Sequence, residues 1–188
     1  MGQLSIPQPS KLIIGLIYHS SIIKDKALVS LKKKFGAIDF LSPEIDFNYT
    51  DYYYAELGRP LRRFFMSFEK LVQEDALAKV KLYTNTLEER YSQRGKRHIN
   101  IDPGLLNLGK LIMATTKDYN HRIYIGKGIY AEVTLYFRNN SFIPWQWTYP
   151  DYQSREYSAI FNTIRSLYAK QLKCIQGISP RIKTAALS

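Results

Sequence analysis

The segment KLIIGLIYH, residues 11–19, limits the possible folds more than any other stretch of the chain. Side chains alternate between the two faces of a strand, and here both faces are apolar, so the segment belongs in the middle of a sheet. A chain of 188 residues, 45% of them hydrophobic, can supply a sizeable core from one domain. At Ser20 or Ser21, both good N-cap residues, the run gives way to IIKDKALVSLKKKF. There Ile23, Ala27, Leu28, Leu31 and Phe35 recur at helical spacing, and Gly36 ends the pattern. The three lysines near its end complement the helix dipole.

The next segment, AIDFLSPEIDFNYT, changes apolar phase between Ile38 and Phe40 on one side and Ile45, Phe47 and Tyr49 on the other, which predicts a bulge at Ser42 and Pro43. RRFFMSFEKL reads as a strand with Phe64, Met66 and Phe68 on one side. EDALAKVKLYTNTLEERY reads as a second helix with Ala76, Val80, Tyr83, Leu87 and Tyr91 as its buried stripe. RHINID alternates again, with His98, Asn100 and Asp102 opposite Ile99 and Ile101. Strand, helix, strand, strand, helix, strand is the order of a ferredoxin-like, split βαβ core. Residues 105–116, LLNLGKLIMATT, are compatible with a short helix or a strand. A hairpin, a third strand SFIPWQW and a last helix from Ser154 follow, the helix turning Tyr157, Ile160, Phe161, Ile164, Leu167 and Tyr168 inward. The expectation is therefore an α+β chain, an antiparallel ferredoxin-like core extended by a C-terminal β-meander and a final helix. One domain is expected over 11–175, between a flexible N-terminus at 1–10 and a flexible basic tail at 176–188.

The hairpin TTKDYNHRIYIGKGIYAEVTLYF, residues 115–137, carries the candidate site. A three-residue Gly126-Lys127-Gly128 loop pairs Ile125 with Ile129, Ile123 with Ala131, Tyr124 with Tyr130 and Arg122 with Glu132, whereas a two-residue loop sets apolar against polar positions throughout. In this register Asp118, Asn120, Arg122, Glu132, Thr134 and Tyr136 share one face and His121 points the other way. One reading makes Arg122 and Glu132 a cross-strand ion pair on a wet face, contributing about 0.2–1 kcal/mol. The other makes the face a polar floor for a ligand. Arg122 then holds an anion bidentately, Glu132, Asp118 and Asp102 orient it or assist a metal, and Lys117, Thr115 and Thr116 complete the pocket. His121 reads as a histidine satisfied at the core rim or as a base.

Other chemistries find less support. GLLNLGKL, residues 104–111, nearly matches a phosphate-binding loop, but Leu111 has no hydroxyl for magnesium and three leucines occupy the loop, so no such nucleotide site is expected. No two of His19, His98 and His121 stand at a metal-motif spacing, so no structural zinc is expected, and Cys174 is the lone cysteine, so no internal disulfide can form. A divalent metal on mixed histidine and carboxylate ligands stays open. There is no G-x-S-x-G. The net charge is +11, yet no Lys or Arg occurs between Phe35 and Gly58, and the acidic tyrosine cluster YTDYYYAELG repels phosphate. The basic loops RPLRR and RGKR are what an RNA-associated module would use. The absence of a signal-like N-terminus and of a run long enough to span a bilayer points to the cytoplasm and away from a membrane.

Taken together, KLIIGLIY, FNYTDYY, KLYTNTLE, INIDPG, ATTKDYNHRIYIGKGIYAEVTLYF and WTYPDY resemble the family of bacterial proteins called domain of unknown function DUF4416, over about residues 11–172. The resemblance implies a soluble bacterial or archaeal protein. It carries no catalytic residues over, and it requires no glycine at 109, which weakens the phosphate-loop match further. The leading functional expectation is binding of a small anionic ligand, a nucleotide or phosphate compound, on the polar face anchored by Arg122. The alternatives are an RNA-associated module and a structural domain that docks a partner through FIPWQWTYP. Whether the protein is an enzyme is left open.

Overall fold

The computed structural model describes residues 2–178. In chain order they form β1 (Lys11–Tyr18), α1 (Ser21–Phe35), β2 (Ile38–Leu41), β3 (Ile45–Asp46), α2 (Tyr54–Leu57), β4 (Arg62–Phe68), α3 (Leu77–Arg90), β5 (Ile99–Leu106), β6 (Lys110–Thr115), β7 (Ile123–Gly126), β8 (Ile129–Arg138), β9 (Ser141–Pro144) and α4 (Arg155–Ile178). The strands build one antiparallel sheet in the order β2-β4-β1-β5-β6-β8-β7, with β3 also on β4 and β9 also on β8. β1 lies between β4 and β5, and all of its residues are buried, as the two-faced apolar run requires. On one face Leu12, Ile14 and Leu16 pack with Ala27 and Leu31 of α1 and with Val80 and Leu87 of α3. On the other, Ile13 and Phe65 pack under Tyr157, Phe161 and Ile164 of α4. The protein is thus α+β, a large antiparallel sheet covered on both faces by helices. Each such aliphatic or aromatic side chain contributes about 1.5–3 kcal/mol by leaving water. Among the described residues no helix is long and apolar enough to cross a membrane.

Most local signals act as expected. The chain breaks between β2 and β3 at Ser42 and Pro43, where Ser42 Oγ accepts the Phe65 N–H at 2.9 Å and bridges the gap in the ladder. Ser154 Oγ accepts the Tyr157 N–H at 3.2 Å and caps α4. The helix runs on to Ile178, and the basic tail expected beyond it lies, from residue 179, outside the described residues. Ala76 closes a 3-10 turn ahead of α3, and its place in the buried stripe is taken by Leu77.

In the C-terminal half one open reading is resolved, and expectations are corrected for the meander and the hairpin loop. Residues 105–116 are the end of β5, a turn at 107–109 and β6, so the near-match to a phosphate loop is a β-hairpin. Asn107 Oδ1 accepts the N–H groups of Gly109 and Lys110 there. Nor do β7, β8 and β9 form a plain meander, because β6 takes one side of β8 and leaves β7 and β9 to pair with different stretches of it. The hairpin register is as expected at Ile123–Ala131 and Tyr124–Tyr130, but the loop is the two residues Lys127-Gly128 instead of the three expected, and a bulge at Ile125 sets Gly126, not Ile125, against Ile129.

Candidate functional site

β5 and β6 pair only over Gly104–Leu106 and Leu111–Met113. Alternate residues of an antiparallel strand present their backbone groups to the same neighbour, so Pro103 faces β6 as Ile101 does and has no N–H to give. At the next residue a Cβ on Gly104 would collide with Met113 Sδ and Ile112 O, which marks how closely the strands meet before they part. Past that point β6 follows β8 out to Thr115, and the sheet forks.

The open edge of β5 is closed by side chains from α3. Glu88 Oε1 accepts the Ile101 N–H at 2.6 Å, and Lys81 Nζ donates to Ile101 O at 3.0 Å. Lys81, Thr84 and Glu88 recur at helical spacing as a second, polar stripe on α3, and all three are buried. The fork opens into a cavity of about 540 Å³. Its interior is lined by Arg63 of β4, Lys81, Glu88, Asp102 of β5 and Asp151, and its rim by Tyr49, Tyr52, Tyr149, Lys117 and Arg122.

Arg63 is 2% exposed. Its Nη2 donates to Tyr152 Oη at 2.7 Å. Nη1 stands 3.6 Å from Asp102 Oδ2 and 3.6 Å from Asp151 Oδ2, beyond hydrogen-bond reach. Among the described residues Nε has no partner. The guanidinium carbon lies 4.8 Å from the Phe65 ring centre and 5.2 Å from that of Tyr152. Gly15 of β1 makes room for this group, since a Cβ there would stand 2.9 Å from Arg63 Nη2 and 2.8 Å from Phe65 Cε1. Burial pulls the guanidinium down, but Tyr152, Tyr157, Asp151 and Asp102 hold it above its ordinary value, so it stays charged.

Lys81 Nζ is 3.8 Å from Asp102 Oδ1, and Asn100 Nδ2 donates to Asp102 Oδ2 at 2.6 Å. Asp102 therefore sits between two buried cations without a hydrogen bond to either. Burial raises the carboxyl of Asp151 against the pull of Arg63, and it raises that of Glu88 against Lys81, the Ile101 N–H and Arg97.

Of the residues marked in the sequence, Arg122, Glu132, Lys117, Thr116 and Asp102 line this cavity. Arg122 Nε donates to Glu132 Oε2 at 2.8 Å, so the cross-strand pair exists, but Glu132 is 5% exposed and the face is not wet. The other arms of Arg122 donate to Lys117 O at 3.0 Å and Tyr149 Oη at 3.2 Å. His121 does not point away: its Nε2 lies 3.2 Å from Glu132 Oε2, and its ring stacks on Trp147. Asp118 is exposed and is not among the lining residues. A turn closed by Arg122 N–H to Tyr119 O, at 2.9 Å, precedes β7, and strand alternation does not reach these two residues.

Arg63, Lys81, Glu88, Arg97 and Asp151 were not marked. Arg63, the last residue of the basic run RPLRR, lies in the strand expected for RRFFMSFEKL and is buried there. Arg97, from the other basic loop, donates to Glu56 Oε2 at 2.6 Å and Glu88 Oε2 at 3.1 Å. Among the described residues no three His, Cys, Asp or Glu side chains gather where they could hold a metal ion.

The model of the family described as Domain of unknown function (DUF4416) matches residues 8–168. The chain belongs to that family. The match takes in every element from β1 through most of α4, and so the whole cavity. No curated protein and no solved structure matches the chain.

Proposed function

We propose that the cavity at the fork binds a small anionic ligand, a nucleotide or another phosphate compound, with Arg63 and Lys81 as its first contacts. One observation carries this reading. Two buried cations line the cavity, and the carboxylates nearest to them stand at 3.6 Å from Arg63 Nη1 and 3.8 Å from Lys81 Nζ, too far to take up their hydrogens. Cations held dry without full partners cost stability, and a bound anion would offset that cost. A volume of about 540 Å³ falls in the range of small-molecule sites. Asp102 and Asp151 beside Arg63 favour a ligand with hydrogen donors next to its anionic group, such as sugar hydroxyls. Arg122, engaged on all three nitrogens, serves at the mouth with Lys117 and Thr116. Glu132 keeps it in position, and Asp118 and His121 take no part.

The order β2-β4-β1-β5, with α1 and α3 against the same face, supports a ferredoxin-like split βαβ unit for the first half of the chain. A reducing cytoplasm suits the exposed thiol of Cys174.

A thermal-shift panel of nucleotides, sugar phosphates and inorganic phosphate tests the binding claim. The full chain is expected to melt higher with at least one of them, by the equivalent of about 2.7 kcal/mol at a hundredfold excess over Kd. Lys81→Met is expected to abolish the rise and Lys117→Ala to weaken it. No rise with any compound at millimolar concentration would overturn the reading.

A further inference from the structure

The two outer strands of the sheet are built on different lines. At β2, Asp39 points inward, pairs with Lys11 and accepts a hydrogen bond from Ser67 Oγ at 2.6 Å. The β2 register with β4 shifts between Ile38 and Phe40, and Pro43 stands two residues past the end of the strand. A charge held in a cross-strand pair and a proline close behind the strand are among the means by which sheet edges are kept from pairing with other chains. β7, with the sequence IYIG, has no charged residue and no proline. Ile123 is 71%, Tyr124 59% and Ile125 36% exposed. One side of β7 is paired with β8, and on its other side there is no strand among the described residues.

A row of free backbone N–H and C=O groups fits another extended backbone, and the side chains indicate which one. We infer that β7 pairs with β7 of a second copy of this chain, antiparallel about a two-fold axis at Tyr124, so that two sheets become one. In that register Ile123 stands opposite Ile125 of the partner subunit, and the two Tyr124 residues stand opposite each other. The strand is its own apolar complement, as an isologous contact requires. It also sets no like charges against each other within the ladder, which matters for a chain of net charge +11. Lys117 and Arg122 stand in the segment that leads into β7, so the contact would brace one wall of the cavity mouth, although the pairing does not depend on a ligand.

Sedimentation equilibrium or light scattering on the full chain tests the pairing. A mass of about twice 21.9 kDa is expected at micromolar concentration. The double variant Ile123→Lys with Ile125→Lys opposes like charges across the axis and is expected to be monomeric. Ile123→Lys with Ile125→Glu opposes unlike charges and is expected to remain dimeric, with at least tenfold tighter association than the first. A monomeric wild-type chain would overturn the inference. So would a dimer that survives both variants, which would put the contact elsewhere, or equal loss of the dimer in both, which would rule out the antiparallel register.

Discussion

Around β1 the interior is made of Leu12, Ile14, Leu16, Phe65 and Met66; at the fork it is made of Arg63, Lys81, Glu88 and Asp151, and none of these nine residues is more than 7% exposed. β5 borders both regions, turning Ile99 and Ile101 to the first and Asn100 and Asp102 to the second. The apolar region needs only to be filled, whereas every charge in the other must find a partner or cost stability. Glu88 is well matched by Ile101 N–H and Arg97. Arg63 and Lys81 are not fully matched, and an interior that served stability alone would have had apolar residues in their place.

Removing the least matched charge should break the contrast most sharply. Arg63→Met is expected to cost about 3–5 kcal/mol in urea unfolding, because Asp151 is left buried and alone. Adding Asp151→Asn should recover part of that loss. If the single variant were as stable as wild type, the guanidinium would not be holding those carboxylates. Next in size, Leu16→Ala in the apolar region should cost about 3 kcal/mol yet leave the ligand-induced rise in melting temperature unchanged. Loss of that response would mean that the two regions are not independent.

The smallest effect concerns pH. Burial raises the carboxyl of Glu88, so its contribution to stability is fully present below the ordinary carboxylate range, about pH 4, and is lost as pH rises through the raised value. Glu88→Gln keeps an oxygen for the Ile101 N–H and has no proton to lose. Its melting temperature minus that of wild type should therefore increase from about pH 4 towards neutrality. A difference that is flat or falls with pH would show that Arg97 and Lys81 outweigh burial.

What could be read in the sequence was local. The two-faced run of β1 and the helical spacings of α1 and α4 act within a few residues, whereas the hairpin reaches the expected pairing of Ile123 with Ala131 through a shorter turn and a bulge. The fork is not local, because it depends on β6 leaving β5 and on charges from positions 63, 81, 88 and 151 converging there. Its traces were present all the same. Gly15 interrupts an apolar strand where Arg63 passes, Lys81 and Glu88 lie two helical turns apart, and Pro103 stands inside a strand. Asp118 and His121 lie in the segment before β7 that turns at Tyr119–Arg122, where strand alternation does not govern which way a side chain points.

On the proposed reading, Arg63 and Lys81 are kept for an anion. A crystal structure of the full chain with the phosphate compound that raises its melting temperature most would test this directly. Ligand oxygens are expected at about 3 Å from both Arg63 Nη1 and Lys81 Nζ. A ligand held anywhere else, with those two nitrogens still without it, would overturn the proposed anion site.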